Sequence, residues 1–170
     1  MTTILRDATE DDLPSINDIY NHYVLNSVCT YQNEPTPLDE RRRWFGSLSS
    51  RHPVIVAESN GAVIGWGALT PFNEREAYRH TVEDSVYVAP DQRGRGLGSA
   101  ILSELLTRAS AAGHHSVIAK IDSEQRASIA LHEKHGFVEA GRLREVGHKF
   151  GRWLDVILME RIVSSAAITD

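Results

Sequence analysis

The segment that most constrains this chain is Ser85–Leu106, SVYVAPDQRGRGLGSAILSELL. A run of β-formers stops at Pro90, an Arg- and Gly-rich loop follows, and the loop passes directly into a helical pattern. Gly94, Gly96 and Gly98 let the backbone adopt φ > 0 and approach a ligand closely. The N–H groups at the helix start have no intrahelical partner and favour an anion. Arg93 and Arg95 add charge that deprotonation does not remove. Such a loop suits a pyrophosphate.

The surrounding segments fit one α/β (α+β) domain. ILRDAT reads as a strand, and Thr9 or Asp11 can cap a helix to about Tyr23, with Leu13, Ile16, Ile19 and Tyr20 on one face. The break NEPTP precedes a second helix, about 38–50. PVIVAES and AVIGWGALTPF form a hairpin through the turn Asn60-Gly61. Beyond a polar linker come a strand at 82–88, the glycine loop, and a helix from about 98 to 112 closed by Gly113. SVIAKI is the next strand, SEQRASIALHEKHGF contains a helix ending at Gly136, and strands near 137–144 and 154–161 close the chain. The order βααββ, then βαβαββ, predicts a mixed, mainly antiparallel sheet flanked by helices. One domain is expected over 1–163, with a frayed tail at 164–170.

Composition narrows the function. With 18 Lys+Arg against 23 Asp+Glu the formal net charge is −5, which argues against a general nucleic-acid partner. Apolar runs such as VIVA and DVILM fall far short of the ~20 residues of a membrane span. Cys29 is the single cysteine, so no intrachain disulfide forms. The N-terminal stretch lacks a secretory pattern, and a cytoplasmic location with no membrane partner is the expectation.

Three kinds of phosphate loop compete for the segment. A P-loop needs Gly-Lys-Ser/Thr, which is absent, and the dinucleotide fingerprint is only partly met by Gly94-x-Gly96-x-x-Ser99. The third resembles the chain closely. Val86-Tyr87-Val88, a Pro, then Arg93-x-x-Gly96-x-Gly98 looks like the acetyl-CoA loop of the GCN5-related N-acetyltransferases (GNAT). The resemblance spans roughly Ile4 to Arg161. IYNHYV, TYQNEPTP, EDSVYV, LHEKHGF and GHKFGRWLDV resemble one branch, the phosphinothricin and methionine sulfone or sulfoximine acetyltransferases.

The resemblance implies an enzyme that moves an acetyl group from acetyl-CoA directly to the primary amine of a small amino acid or analogue, as a homodimer. It places CoA contacts at Val86, Tyr87, Val88, Arg93, Gly94, Arg95, Gly96, Leu97, Gly98 and Ser99. Gln125 stands where the family usually carries Asn, one methylene shorter. Glu83 and His132 match the branch's candidate bases, and burial would be expected to lift Glu83 above the usual carboxylate range. Tyr31, Arg75, Tyr78, Arg79 and Lys149 are candidates for the acceptor pocket, because an amino acid needs a cation for its carboxylate. Phe150 and Trp153 are candidates for pocket or dimer interface, with a core position for Trp153 equally open.

His132 and His135 are spaced i, i+3, whereas a zincin helix needs i, i+4, so no metal is expected. His22, His52, His80, His114, His115 and His148 carry no motif and are expected mostly in solvent, and Cys29 reads as a packed thiol. A protein N-terminus or another amine remains open as acceptor. A CoA-binding sensor without turnover is the alternative of another class.

Overall fold

The computed structural model describes residues 3–163, so the expected tail at 164–170 lies outside the described residues. Strand β1 is Thr3–Asp7, followed by helices α1 (Leu13–Asn26) and α2 (Leu38–Ser47). Strands β2 (Val54–Ser59), β3 (Ala62–Pro71) and β4 (Thr81–Val88) form a meander. Helix α3 (Leu97–Ala111), strand β5 (Ser116–Asp122), helix α4 (Arg126–Lys134) and strands β6 (Val138–Lys149) and β7 (Arg152–Ile162) complete the chain. The sheet order is β1-β2-β3-β4-β5-β7-β6. Every pairing is antiparallel except β4 with β5. The expected mixed, mainly antiparallel sheet is the one observed.

Local chemistry explains most boundaries. Asn60 and Gly61 have φ of 52° and 77°, the double left-handed signature of a type I′ hairpin turn. Phe150 and Gly151 repeat it at 49° and 73°, joining β6 to β7. Asp12, not Thr9 or Asp11, secures the entry to α1. Its carboxylate accepts the Thr9 N–H at 2.8 Å, and the hydrogen bond from Arg6 draws its pKa down to about 2. Strand β6 runs past the expected Arg144 because register shifts near Gly141 and Gly147 let pairing resume beyond each irregularity.

Apolar side chains cover both faces of the sheet. Leu97, Ile101, Leu102 and Leu105 of α3 pack on one face, and Leu13, Ile16 and Ile19 of α1 pack on the other around Trp66. Gly67 allows α3 its close seat on β3, since a Cβ there would lie 2.6 Å from Ile101. His114 departs from expectation. It is fully buried, with Nε2 2.7 Å from the Arg51 carbonyl, and burial lowers its pKa. None of the described helices is long and apolar enough to cross a membrane.

Candidate active site

The glycine loop is an amide cradle. Gly94 has φ of 75°, and Gly96, the N-cap of α3, has φ of 78°. The first bond of α3 runs from the Ala100 N–H to the Gly96 carbonyl at 3.1 Å. The N–H groups from Gly94 to Ser99 have no acceptor among the described residues. Unpartnered amides at a helix N-terminus fit a pyrophosphate. A Cβ at Gly94 or Gly96 would meet nothing within 4 Å, so these positions require glycine for conformation rather than for space. Gly96→Ala should cost about 1–2 kcal/mol of stability through the left-handed backbone. It should also raise the acetyl-CoA Kd, read by calorimetric titration, and an unchanged Kd would remove the pyrophosphate from this loop.

The loop's arginines act differently from one another. Arg93 Nε donates to the Tyr23 hydroxyl at 3.0 Å, and its guanidinium lies 4.9 Å from that ring, tying the loop to α1. Arg95 stays exposed and, among the described residues, donates only to the Gln92 side chain, at 3.2 Å. Ser99 Oγ lies 2.8 Å from His135 Nε2.

The sheet itself opens beside this cradle. Strand β4 pairs with β5 only from Thr81 to Glu83, against Ser116 to Ile118, and the two strands then diverge. The bonds from the Ala89 N–H to Ile64 and from the Phe72 N–H to Thr81 set the β3–β4 alternation. By that alternation the backbone groups of Val86 and Val88 face the gap, with no strand opposite. A cavity of about 800 Å³ passes through the gap. Val86, Tyr87, Val88, Arg93, Gly94, Gly96, Leu97, Gly98 and Gln125 line it, whereas Arg95 and Ser99 do not. Gln125 is the N-cap residue of α4, and its side chain makes no capping bond.

Glu83 and His132 both line the cavity but occupy opposite faces of the sheet. Alternation along β4 puts Glu83, Ser85 and Tyr87 toward α1 and α2, and Asp84, Val86 and Val88 toward α3 and α4. Glu83 is a quarter exposed and pairs with Lys120 Nζ at 2.7 Å, so it is less buried than expected and has a cation as its neighbour. His132 is buried. Its Nδ1 lies 2.7 Å from the Ser128 carbonyl and its Nε2 lies 3.0 Å from Asp84 Oδ2. Both ring nitrogens are thus engaged by oxygens of the protein, which leaves neither aimed at a substrate proton. Burial alone would lower the His132 pKa, but the Asp84 hydrogen bond outweighs it and the net direction is upward. Asp84 Oδ1 is buried without a hydrogen-bond partner among the described residues. Sequence reading passed over Asp84, although strand alternation was the signal that set it apart from Glu83.

On the acceptor side only Tyr31 of the expected residues lines the cavity. Its hydroxyl donates to Asp122 Oδ2 at 2.7 Å, and Gly147 leaves room for its ring, because a Cβ there would lie 2.4 Å from Cε2. Lys149 is buried and donates to the carbonyls of Ser27 and Thr30, each at 2.8 Å. It fastens the β6–β7 hairpin to the α1–α2 loop instead of facing a substrate. Arg75, Tyr78 and Arg79 also differ from expectation. The β3–β4 linker folds outward as a 3-10 turn, Glu76–Tyr78, and none of the three lines the cavity. Trp153 is 63% exposed, which excludes the core position. Cys29 is half-buried and burial pushes its thiol up, as suits a packed thiol.

Residues 16–137 match the model of the acetyltransferase (GNAT) family. The chain belongs to this family. It is 42% identical over 162 residues to an L-methionine sulfoximine/L-methionine sulfone acetyltransferase of Pseudomonas paraeruginosa, covering 94% of each chain. It superposes with a TM-score of 0.94 on a GNAT superfamily phosphinothricin acetyltransferase from Sinorhizobium meliloti in complex with acetyl-CoA. That match is 42% identical and covers 100% of this chain and 93% of the other. A ribosomal-protein-alanine N-acetyltransferase from Brucella melitensis is also similar, with a TM-score of 0.91, 42% identity and coverage of 94% and 99%. In this fold the parted strands and the amide cradle adjoin and line one cavity.

Proposed function

We propose that the protein is an acetyl-CoA-dependent N-acetyltransferase acting on the primary amine of a small amino acid or analogue. Phosphinothricin, methionine sulfone and methionine sulfoximine are the acceptor types. The gap between β4 and β5 carries this reading, because it joins the amide cradle to the carboxylate of Glu83 in one cavity. The relatives' substrates support the acceptor class.

Acetyl-CoA supplies an activated acyl carbon. The residues of this chain do the rest. Amides 94–99 bind the pyrophosphate. The N–H groups of Val86 and Val88, freed where β5 departs, receive the acyl oxygen as it gains charge. Glu83, directly or through water, takes a proton from the acceptor ammonium. A C–N bond forms, the C–S bond breaks, the sulfur departs as a thiolate, and the second proton shed by the nitrogen passes to that thiolate, directly or through water.

Mixing the protein with acetyl-CoA and a panel of amines, and following free thiol, tests this. Fast release with phosphinothricin, methionine sulfone or methionine sulfoximine is expected. Release only with an N-terminal peptide would replace the acceptor by a protein terminus, the reading that the ribosomal-protein relative favours. Bound acetyl-CoA without release would indicate a sensor.

The homodimer belongs to the same proposal. Strand β6 is a sheet edge, and Val138, Val146, Phe150 and Trp153 stand exposed along its hairpin with β7. Apolar side chains on an unpaired edge favour a partner. Sedimentation should show a dimer, weakened by Trp153→Glu. A monomeric wild type would overturn it.

A further inference from the structure

Among the described residues, the cavity wall carries three Lys or Arg side chains. Lys120 pairs with Glu83, and Arg93 is held by Tyr23. Arg41, in the first turn of α2, has no such tie. It is 6% exposed, and no carboxylate among the described residues lies within ion-pair distance; Glu40 acts on it only at longer range. Its Nε donates to Asn17 Oδ1 at 3.2 Å. Its terminal nitrogens donate to nothing among the described residues.

Three rings surround the guanidinium, with centroids at 4.5 Å for Tyr20, 4.8 Å for Trp44 and 5.6 Å for Trp66. The Trp66 Nε1, also buried, lacks a hydrogen-bond partner and adds a second unanswered donor. A buried cation without a counterion is costly, and cation–π contacts offset only part of that cost. An anion entering the cavity would remove the rest. The paired terminal nitrogens form a planar fork matched to a carboxylate. The same ring cluster continues to Tyr87, which stacks on Trp66 at 4.9 Å and shares its sheet face with Glu83.

We propose that Arg41 holds the α-carboxylate of the acceptor. This rests on the N-acetyltransferase reading and narrows the substrate class to α-amino acids with a free carboxylate. It assigns to α2 the role that Arg75, Arg79 and Lys149 were expected to fill.

Two acceptors separate this role from a purely structural one: methionine sulfone and its α-amide. Arg41→Met should raise the KM of the amino acid about 10- to 100-fold, the worth of a charge-assisted pair. It should leave the KM values of the amide and of acetyl-CoA nearly unchanged. Arg41→Lys keeps the charge, protects the fold, and should recover part of the loss. Equal loss on both acceptors, or no loss, would overturn the assignment. A second readout does not depend on turnover. Trp44 and Trp66 flank the guanidinium, so N-acetylmethionine sulfone, which has the carboxylate but no free amine, should change tryptophan fluorescence saturably in the wild type and not in Arg41→Met. Absence of that response would remove the carboxylate from Arg41. A response without turnover would sink the N-acetyltransferase reading and leave the anion site standing.

Discussion

Glu83→Gln is expected to lower kcat by about 10²-fold or more while leaving the KM for acetyl-CoA near its original value. The substitution preserves size, removes the ability to take a proton, and gives up the partly exposed ion pair with Lys120, whose loss alone costs little. Glu83 is the last β4 residue paired to β5, so its carboxylate sits where the gap begins, on the face that carries α1 and α2. The loop amides proposed to bind acetyl-CoA lie further along the chain, and Gln at this position does not disturb them. His132→Gln should have a smaller effect on kcat, because both imidazole nitrogens already face acceptors. Steady-state kinetics with saturating acetyl-CoA would show the difference. An unchanged kcat in Glu83→Gln would take the proton away from this residue. A larger loss in His132→Gln would return the role to the histidine.

The second large effect concerns stability. Asp84→Ala should destabilise the protein by about 3–5 kcal/mol under mildly acidic conditions, the usual result of leaving one half of a buried ion pair. The side chains of Asp84 and His132 are 2% and 5% exposed, so solvent cannot replace the lost partner. The pH dependence has a definite sign. The folded-state pKa of His132 is raised above its unfolded value of 6.5. Its contribution is therefore fully present below that value and is lost as pH rises through the folded pKa. The gap in melting temperature between wild type and Asp84→Ala should be widest on the acid side of 6.5 and shrink in alkaline buffer. A gap that widens with rising pH would show that His132 is neutral in the fold.

Much of the fold was legible because its signals are local. The hairpin turn at Asn60-Gly61 and the strand-loop-helix around Gly96 depend on backbone preferences that each residue carries with it. The order of elements followed from hydrophobic period and breakers, and it sufficed for a mixed sheet. Helix α1 entered differently from expectation because Asp12 is held by two hydrogen bonds from Arg6 of β1, six residues earlier, a pairing that capping preferences alone do not display. His114 is an exception among histidines expected mostly in solvent, and its cause is long-range, since the carbonyl that accepts its proton belongs to Arg51.

The site divides along the same line. By itself the sequence determined the glycine cradle, the strand that leads into it and the family to which both belong, because these reside in one continuous segment. Only the tertiary structure decided what the charged side chains do. Alternation along β4 turns Glu83 and Asp84 to opposite faces, and Asp84 claims the imidazole of His132. Lys149 is drawn inward by two carbonyls, and Arg41 is buried among rings from α1, α2 and β3 without a counterion. The physical reason is range. Backbone conformation is set by neighbours in the chain, whereas a charge takes its role from whichever partner the fold brings within a few ångströms.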